Sequence, residues 1–412
     1  VGRLIVSIKP FADDEGDTYE ADFIDVSRDV VLNGVGKLKQ YLDNNEFDIG
    51  IFRHANFSLK LVNRNGKYSD VDGINTIFKS TRSNSIVRLE WDANPVLFSL
   101  GFHPYGEFGY SERQLVGDFF LNDDSLRGRA NDETVRFDCL GKSVLFDQET
   151  VPFAAIAVND LLSVVVFKCL NQASILRHLT VDAANITLDI DHAMDDKTLG
   201  DLENKTVTEA FKKLLKYANS VLRIDGSTVI VSPRTVGTTL AFTFRGAGSL
   251  NGKENISDIF DQTSGVGRVK NLVEVKDTGV AARNEDSITK YRVRKTVIEF
   301  LPVSTEANRQ AAADAIVAEF GDPKQEMKIL VPMDHDRLGI TVLDLVKVDY
   351  PLRVIALEGS DLPEYGSAQY DVDFYAHEIQ DIVISDALDF KVLSIVKDFN
   401  KEVCIFEIRE VS

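Results

Sequence analysis

The sequence predicts a β-rich α+β protein of several domains, in which antiparallel barrel-like or sandwich-like segments accompany a smaller α/β unit. Three observations carry that prediction. Short runs of alternating apolar and polar residues recur along the chain, as in Phe57–Val62, Thr238–Phe244 and Phe390–Asp398. A capped amphipathic helix runs directly into a hairpin within Asn204–Arg234. The 412 residues, 44% hydrophobic and 27% charged, are enough for roughly two to four domains with buried cores.

Residues 1–155 are expected to form a β-rich domain. Arg3–Ile8 reads as its first strand, with the acidic loop Asp13–Asp17 after it. Val35, Leu38, Tyr41 and Leu42 keep helical spacing, so a short helix is predicted over Val35–Asp43. Phe57–Val62 alternates and meets a turn at Asn63–Gly66, which predicts half of a hairpin. Ser85–Trp91 alternates in the same way, with Val87, Leu89 and Trp91 on one face, and Trp91 is assigned to the core. Asn94–Arg129 is rich in Phe, Gly and Tyr, has weak periodicity and reads as a long excursion. Thr134–Leu140 and Lys142–Asp147, joined through Gly141, are predicted strands.

Residues 156–235 mix helix and strand. Leu162, Val165, Val166, Cys169, Leu170 and Ala173 hold helical spacing, and Asn185–Ile190 is strand-like. Thr206 and Glu209 form a capping box at the start of the next helix. Val207, Ala210, Phe211, Leu214, Leu215 and Ala218 share its apolar face, with Lys212, Lys213 and Lys216 on the other. After Asn219 the period drops to that of a strand. Val221–Ile224 and Val229–Val231 flank the Asp225-Gly226 turn signal, and Pro233, which has no N–H, ends the second strand.

Residues 236–412 read as a second β domain with an inserted helix. Thr238–Phe244 is a predicted strand, 246–258 a Gly, Asn and Ser-rich loop, Arg268–Val275 strand-like, Asp277–Ser287 polar and exposed, and Tyr291–Phe300 a strand. Ser304 or Thr305 caps a helix through Phe320, stopped by Gly321 and Pro323, with Ala312, Ala313, Ile316, Val317 and Phe320 inward. Glu326–Val331 and Ile340–Val348 follow as strands, the latter closed by Tyr350-Pro351. Tyr370–Phe374, Ile379–Ile384, Phe390–Asp398 and Lys401–Glu410 complete a run whose short turns suit an antiparallel barrel or sandwich.

Lys and Arg total 46 against 65 Asp and Glu, a net charge of −19. That balance argues against a nucleic-acid-binding surface, which needs basic patches, but suits a wall past which DNA slides without sticking. Cys139, Cys169 and Cys404 lie far apart among apolar neighbours and are expected as free buried thiols. The apolar run at Leu4–Ile8 is too short for a signal peptide, and Val151–Phe167 is interrupted by Asn159-Asp160. A soluble chain made in a cytoplasm, with no membrane insertion, is therefore expected.

Reactive motifs are incomplete. Gly246–Lys253 lacks the P-loop's first glycine, because Ala247 stands there, and Glu254 replaces the magnesium-binding Ser or Thr. His377-Glu378 begins like a zinc-protease helix, but Asp381 stands where the second His belongs. Asp371, Asp373 and Glu378 could pair as hydrolase carboxylates, and Asp13–Asp17 could hold calcium, although it departs from the EF-hand pattern. Charge clusters of this kind ordinarily form solvated loops. No Ser lies in a nucleophile elbow. No catalytic, cofactor-binding or metal residue is assigned, and no cofactor is expected.

The helix–hairpin Thr206–Arg234 resembles that of bacteriophage tail-hub, or baseplate-hub, proteins and of related contractile injection machines. So does the block from Tyr291–Phe300 through the helix to Phe320, Pro323, Glu326–Val331 and Leu338-Gly339 to Asp344–Val348. The closing segments Phe390–Ile395 and Phe406–Val411 fit the same pattern. Asp344 departs from it, lacking the preceding glycine usual at that turn, and residues 1–150 carry no such signal. The resemblance implies tail-tube-like antiparallel β-barrel domains in a non-enzymatic virion protein. It further implies a homotrimer forming a pseudo-sixfold ring between the tail tube or distal tail protein and a spike or tail-tip protein, with the tape measure protein as a further neighbour. DNA would pass through without specific binding, along a lumen lined in part by acidic residues. The alternatives are a hexameric distal tail adaptor, a carbohydrate-binding tail protein, or a metal- or carboxylate-dependent hydrolase using Asp371–Glu378.

Overall fold

The computed structural model describes residues 3–11, 22–42, 50–69, 76–78, 85–92, 113–127, 133–194, 199–234, 239–246, 255–263, 265–299, 305–349, 353–356, 380–383 and 388–411. Alternating apolar residues build the first sheet, of seven antiparallel strands. Its order is Ile24–Asp25, Arg3–Lys9, Ile86–Asp92, Arg113–Arg127, Thr134–Gly141, Phe57–Val62 and Val30–Val35. Val87, Leu89 and Trp91 face inward, as do Phe57, Leu59 and Leu61, and Val135, Phe137 and Cys139. Trp91 stacks at a tilt on Phe399, 6.3 Å between centroids, so its indole reaches the second sheet.

The second sheet draws on the whole chain. From Thr228–Pro233 it passes through Ser220–Asp225, Gly50–His54, Leu38–Leu42, Leu388–Asp398, Val403–Glu410 and Glu326–Pro332 to Asp258–Thr263. Leu388–Asp398 serves two neighbours. Its first half pairs with Leu345–Asp349 and its second half with Leu38–Leu42. The register break between Val392 and Ser394 bends the strand between these pairings. Leu345–Asp349 in turn runs parallel to Leu240–Arg245. Backbone pairing thus joins stretches on either side of residues 155 and 235.

Two apolar cores result. One lies between the sheets and unites Val6, Leu59, Val87 and Phe137 with Leu38, Ile329, Ile395 and Phe406. The other gathers the helices Leu162–Leu170, Val207–Tyr217 and Glu306–Phe320 on the hairpin and on the small sheet Ala281–Arg283, Leu272–Val275, Lys295–Ile298. The fold is β-rich α+β, as expected, but neither large sheet closes into a barrel among the described residues. At one end of the first sheet stands a strand of two residues. At the other, Val30–Val35 breaks register, with Asn33 at φ 59°. Strands so short or bulged cannot complete a ladder.

The helix–hairpin forms as read. Thr206 Oγ1 accepts from the Glu209 N–H and Glu209 returns a bond to the Thr206 N–H, both at 3.2 Å. Asn219 takes the left-handed conformation at φ 48°, which ends the helix, and Gly226 at φ 60° turns the hairpin. Glu306–Phe320 also forms as expected, capped by Thr305, with the five expected side chains buried. The need for glycine at position 321 has a steric cause. Gly321 has ordinary helical angles, but a Cβ there would lie 2.3 Å from the Val317 carbonyl oxygen.

Several expectations fail, each to a tertiary partner. Val35–Asp43 is not helical: Leu38–Leu42 is a strand between Leu388–Asp398 and Gly50–His54. Lys142–Asp147 is not a strand. Val144–Gln148 is a helix whose Phe146 meets Phe211 edge-to-face and whose Asp147 takes both guanidinium nitrogens of Arg53. Within Asn94–Arg129, Arg113–Arg127 is a long central strand, and 93–112 lie outside the described residues. Phe57–Val62 pairs with Thr134–Gly141 and Val30–Val35, with no hairpin partner through Asn63–Gly66. Asn185–Ile190 makes one bridge, Ile186 to Val231, rather than a strand. Asp277–Ser287 is ordered around buried Val280, Ala282 and Ser287 and opens the helix Glu285–Tyr291, which leaves Lys295–Ile298 as the strand after it. Tyr350-Pro351 and Tyr370–Phe374 lie outside the described residues, and Gln380–Val383 pairs with Arg353–Ala356.

Candidate functional site

The carboxylates Asp371, Asp373 and Glu378, with His377, lie outside the described residues, as do Asp13–Asp17 and 247–254. Asp381 stands on the strand Gln380–Val383. Among the described residues no group of three or more His, Cys, Asp or Glu is placed to hold a metal. The three thiols are free and buried. Burial pushes Cys169 up to about 12 and Cys404 up to about 11, and raises Cys139 as well, so all three stay protonated and unreactive at neutral pH.

The polar chemistry gathers instead in two clefts. The larger, about 840 Å³, lies along Glu306–Phe320, where Asn308, Ala311, Ala315 and Ala318 face Asp189 and Asp191. At its floor Glu319 collects three cations from three separate elements. Arg234, after the hairpin, donates at 2.8 Å and Arg409, the penultimate residue of the last strand, at 2.9 Å, with Lys391 as the third donor. All three cationic side chains are at most 4% exposed, whereas Glu319 is 26% exposed. The Phe320 ring supports two of them, Arg409 at 4.6 Å and Arg234 at 5.6 Å from its centroid. This cluster fastens the helical core to the second sheet.

The smaller cleft, about 210 Å³, opens between the two sheets and is lined by His54, Asp118, Lys142, Arg223, Asp225 and Lys397 among others. Arg88 takes both Asp118 oxygens, at 2.9 and 3.0 Å. Burial holds the Lys397 and Lys142 ammonium groups below their ordinary range, with Asp118 opposing the effect at Lys142. Burial, aided by the charge of Lys397, holds His54 down at about 4, so it is neutral at neutral pH. None of these residues was singled out from the sequence for its chemistry. They come from strands and turns with no common spacing, so no local signal could group them.

The outer surface carries isolated apolar side chains on rigid backbone. Leu32, at the bulge of the edge strand, is 90% exposed. Val158, Leu161 and Val164 project from the start of Leu162–Leu170, and Leu161 is 44% exposed. Their loop is pinned, since Asp160 accepts from the Ala157 N–H at 2.7 Å and from Lys168 at 2.6 Å. Singly exposed apolar side chains are ordinary on a protein surface, and only a contiguous patch of them marks a contact site.

Sheets that draw strands from both ends of the chain define a β-rich α+β fold class. The particular fold is that of tail proteins of bacteriophages and prophages. A tail protein from Neisseria meningitidis superposes with a TM-score of 0.55 at 11% identity, over 99% of this chain and 96% of that one. A prophage tail protein from Listeria monocytogenes gives 0.51 at 11% identity, over 98% and 94%. The 43 kDa tail protein of prophage MuSo2 from Shewanella oneidensis gives 0.50 at 9%, over 99% and 96%. At these identities the likeness is one of fold. No protein-family model matches the sequence, and no curated protein matches it significantly.

Proposed function

We propose that this chain is a structural, non-catalytic hub protein of a bacteriophage tail. It forms a homotrimeric, pseudo-sixfold ring that joins the tail tube or distal tail protein to a spike or tail-tip protein. The observation that carries this reading is the likeness of fold, end to end, to three tail proteins. Residues 1–155 and 236–412 supply most of the two tube-like modules, with Leu38–Leu42 and Gly50–His54 crossing to the second sheet, and 156–235 the helix–hairpin module, whose strands extend that sheet. The ring is assembled in the bacterial cytoplasm, meets the tape measure protein, and ends in the virion. Three copies at −19 each give a lumen that repels phosphate, so DNA passes without being held.

Mass in solution by light scattering, followed by particle imaging, tests the reading. A threefold ring with a central pore is the expected result. A sixfold ring would favour a distal tail adaptor. A chain that stays monomeric with tube and spike proteins present would overturn the hub assignment.

A further inference from the structure

The cleft between the sheets holds buried positive charge that its carboxylates do not balance. Lys397, 6% exposed, makes one hydrogen bond among the described residues, to the Leu338 carbonyl at 3.1 Å. Lys142, 4% exposed, approaches the cleft from the other sheet's side. It lies 3.4 Å from both Asp118 and the Gly226 carbonyl, the long limit of a hydrogen bond. Asp118 is meanwhile held by Arg88 through both oxygens. Arg223 adds a third lining cation, with Asp225 opposing it, and Ser143 and Gln40 supply neutral donors. A buried ammonium without a counter-ion is costly, and lysine serves as a point-charge binder of phosphate. The 210 Å³ volume exceeds that of several waters at about 30 Å³ each.

We infer that this cleft binds a compact oxyanion of the phosphate or sulfate class between Lys397 of the second sheet and Lys142, in the turn directly after the first sheet's strand Thr134–Gly141. Its occupation fastens the two sheets together. The overall negative charge repels anions at long range, so affinity arises inside the cleft, where screening is weak.

The test uses the full chain and inorganic phosphate. At matched ionic strength and neutral pH, millimolar phosphate in place of chloride raises Tm by about 2 °C or more. The rise saturates, and calorimetry gives one site per chain. Acetate, tested alongside, separates a tetrahedral oxyanion from a general taste for carboxylates. Lys397→Met and Lys142→Met each weaken phosphate binding by about tenfold to a hundredfold, the loss of one charge-assisted hydrogen bond. The exposed Lys290→Met leaves it unchanged. A rise that does not saturate, or one that both cleft variants retain, overturns the inference, because a general salt effect then explains it. If Lys397→Met fails to fold, Lys142→Met and wild-type calorimetry decide.

Discussion

At the scale of the residue, stability depends on a few charges whose partners come from distant stretches of sequence. Glu319 accepts hydrogen bonds from Arg234, Lys391 and Arg409. Removing one partner of a buried ion pair strands the other charge, at about 3–5 kcal/mol. Glu319→Gln is therefore expected to lower the unfolding free energy in urea by a part of that amount, whereas Lys290→Met has almost no effect. His54 sets a pH dependence. Its folded pKa of about 4 lies below the ordinary 6.5, so the unfolded chain binds the proton more readily. Stability is full above the unfolded value and falls as pH drops from about 6.5 towards about 4, by on the order of 3 kcal/mol. His192 is held down in the same direction by burial and adds to the slope. Urea titrations across this range should show the loss, and His54→Gln should remove most of it. None of this was legible in the sequence, because charge clusters closed by folding leave no spacing to read.

At the scale of the element, legibility followed the range of the signal. The helix–hairpin was read nearly residue for residue, since its cap, its apolar stripe, Asn219 and the Asp225-Gly226 turn all lie within thirty-one consecutive residues. Its cap makes a test. Thr206→Ala removes the acceptor for the Glu209 N–H and is expected to cost about 1 kcal/mol, visible as a lower urea midpoint with an unchanged slope. Leu38–Leu42 was misread because Leu38 and Leu42, four apart, fall on one face of either a helix or a strand. Only the distant strand Leu388–Asp398 decides between the two. Val144–Gln148 failed the other way, its adjacent buried Leu145 and Phe146 suiting a helical turn under Phe211.

At the scale of the molecule, the fold class and the likeness to tail proteins were legible from element order, while the openness of the sheets was not. Bulges such as Leu32-Asn33-Gly34 leave weak traces in composition. The proposed ring can be tested at the exposed Val158, Leu161 and Val164 surface. Leu161→Asp should then reduce the assembled fraction in light scattering while leaving Tm of the isolated chain within about 2 °C. Acidic side chains lining the pore in a map of the assembled ring would support the conduit, and a neutral or basic lining would sink it. The pairing of Lys39 with Val396 has one further consequence, for synthesis. A ribosome delivers the chain from its N-terminus, so Leu38–Leu42 emerges long before the strand that must lie beside it. The central sheet cannot be completed until Leu388–Asp398 has emerged, and until then its early strands present open edges. A product cut short before Leu388 therefore lacks the strand that unites the early and late parts of this sheet.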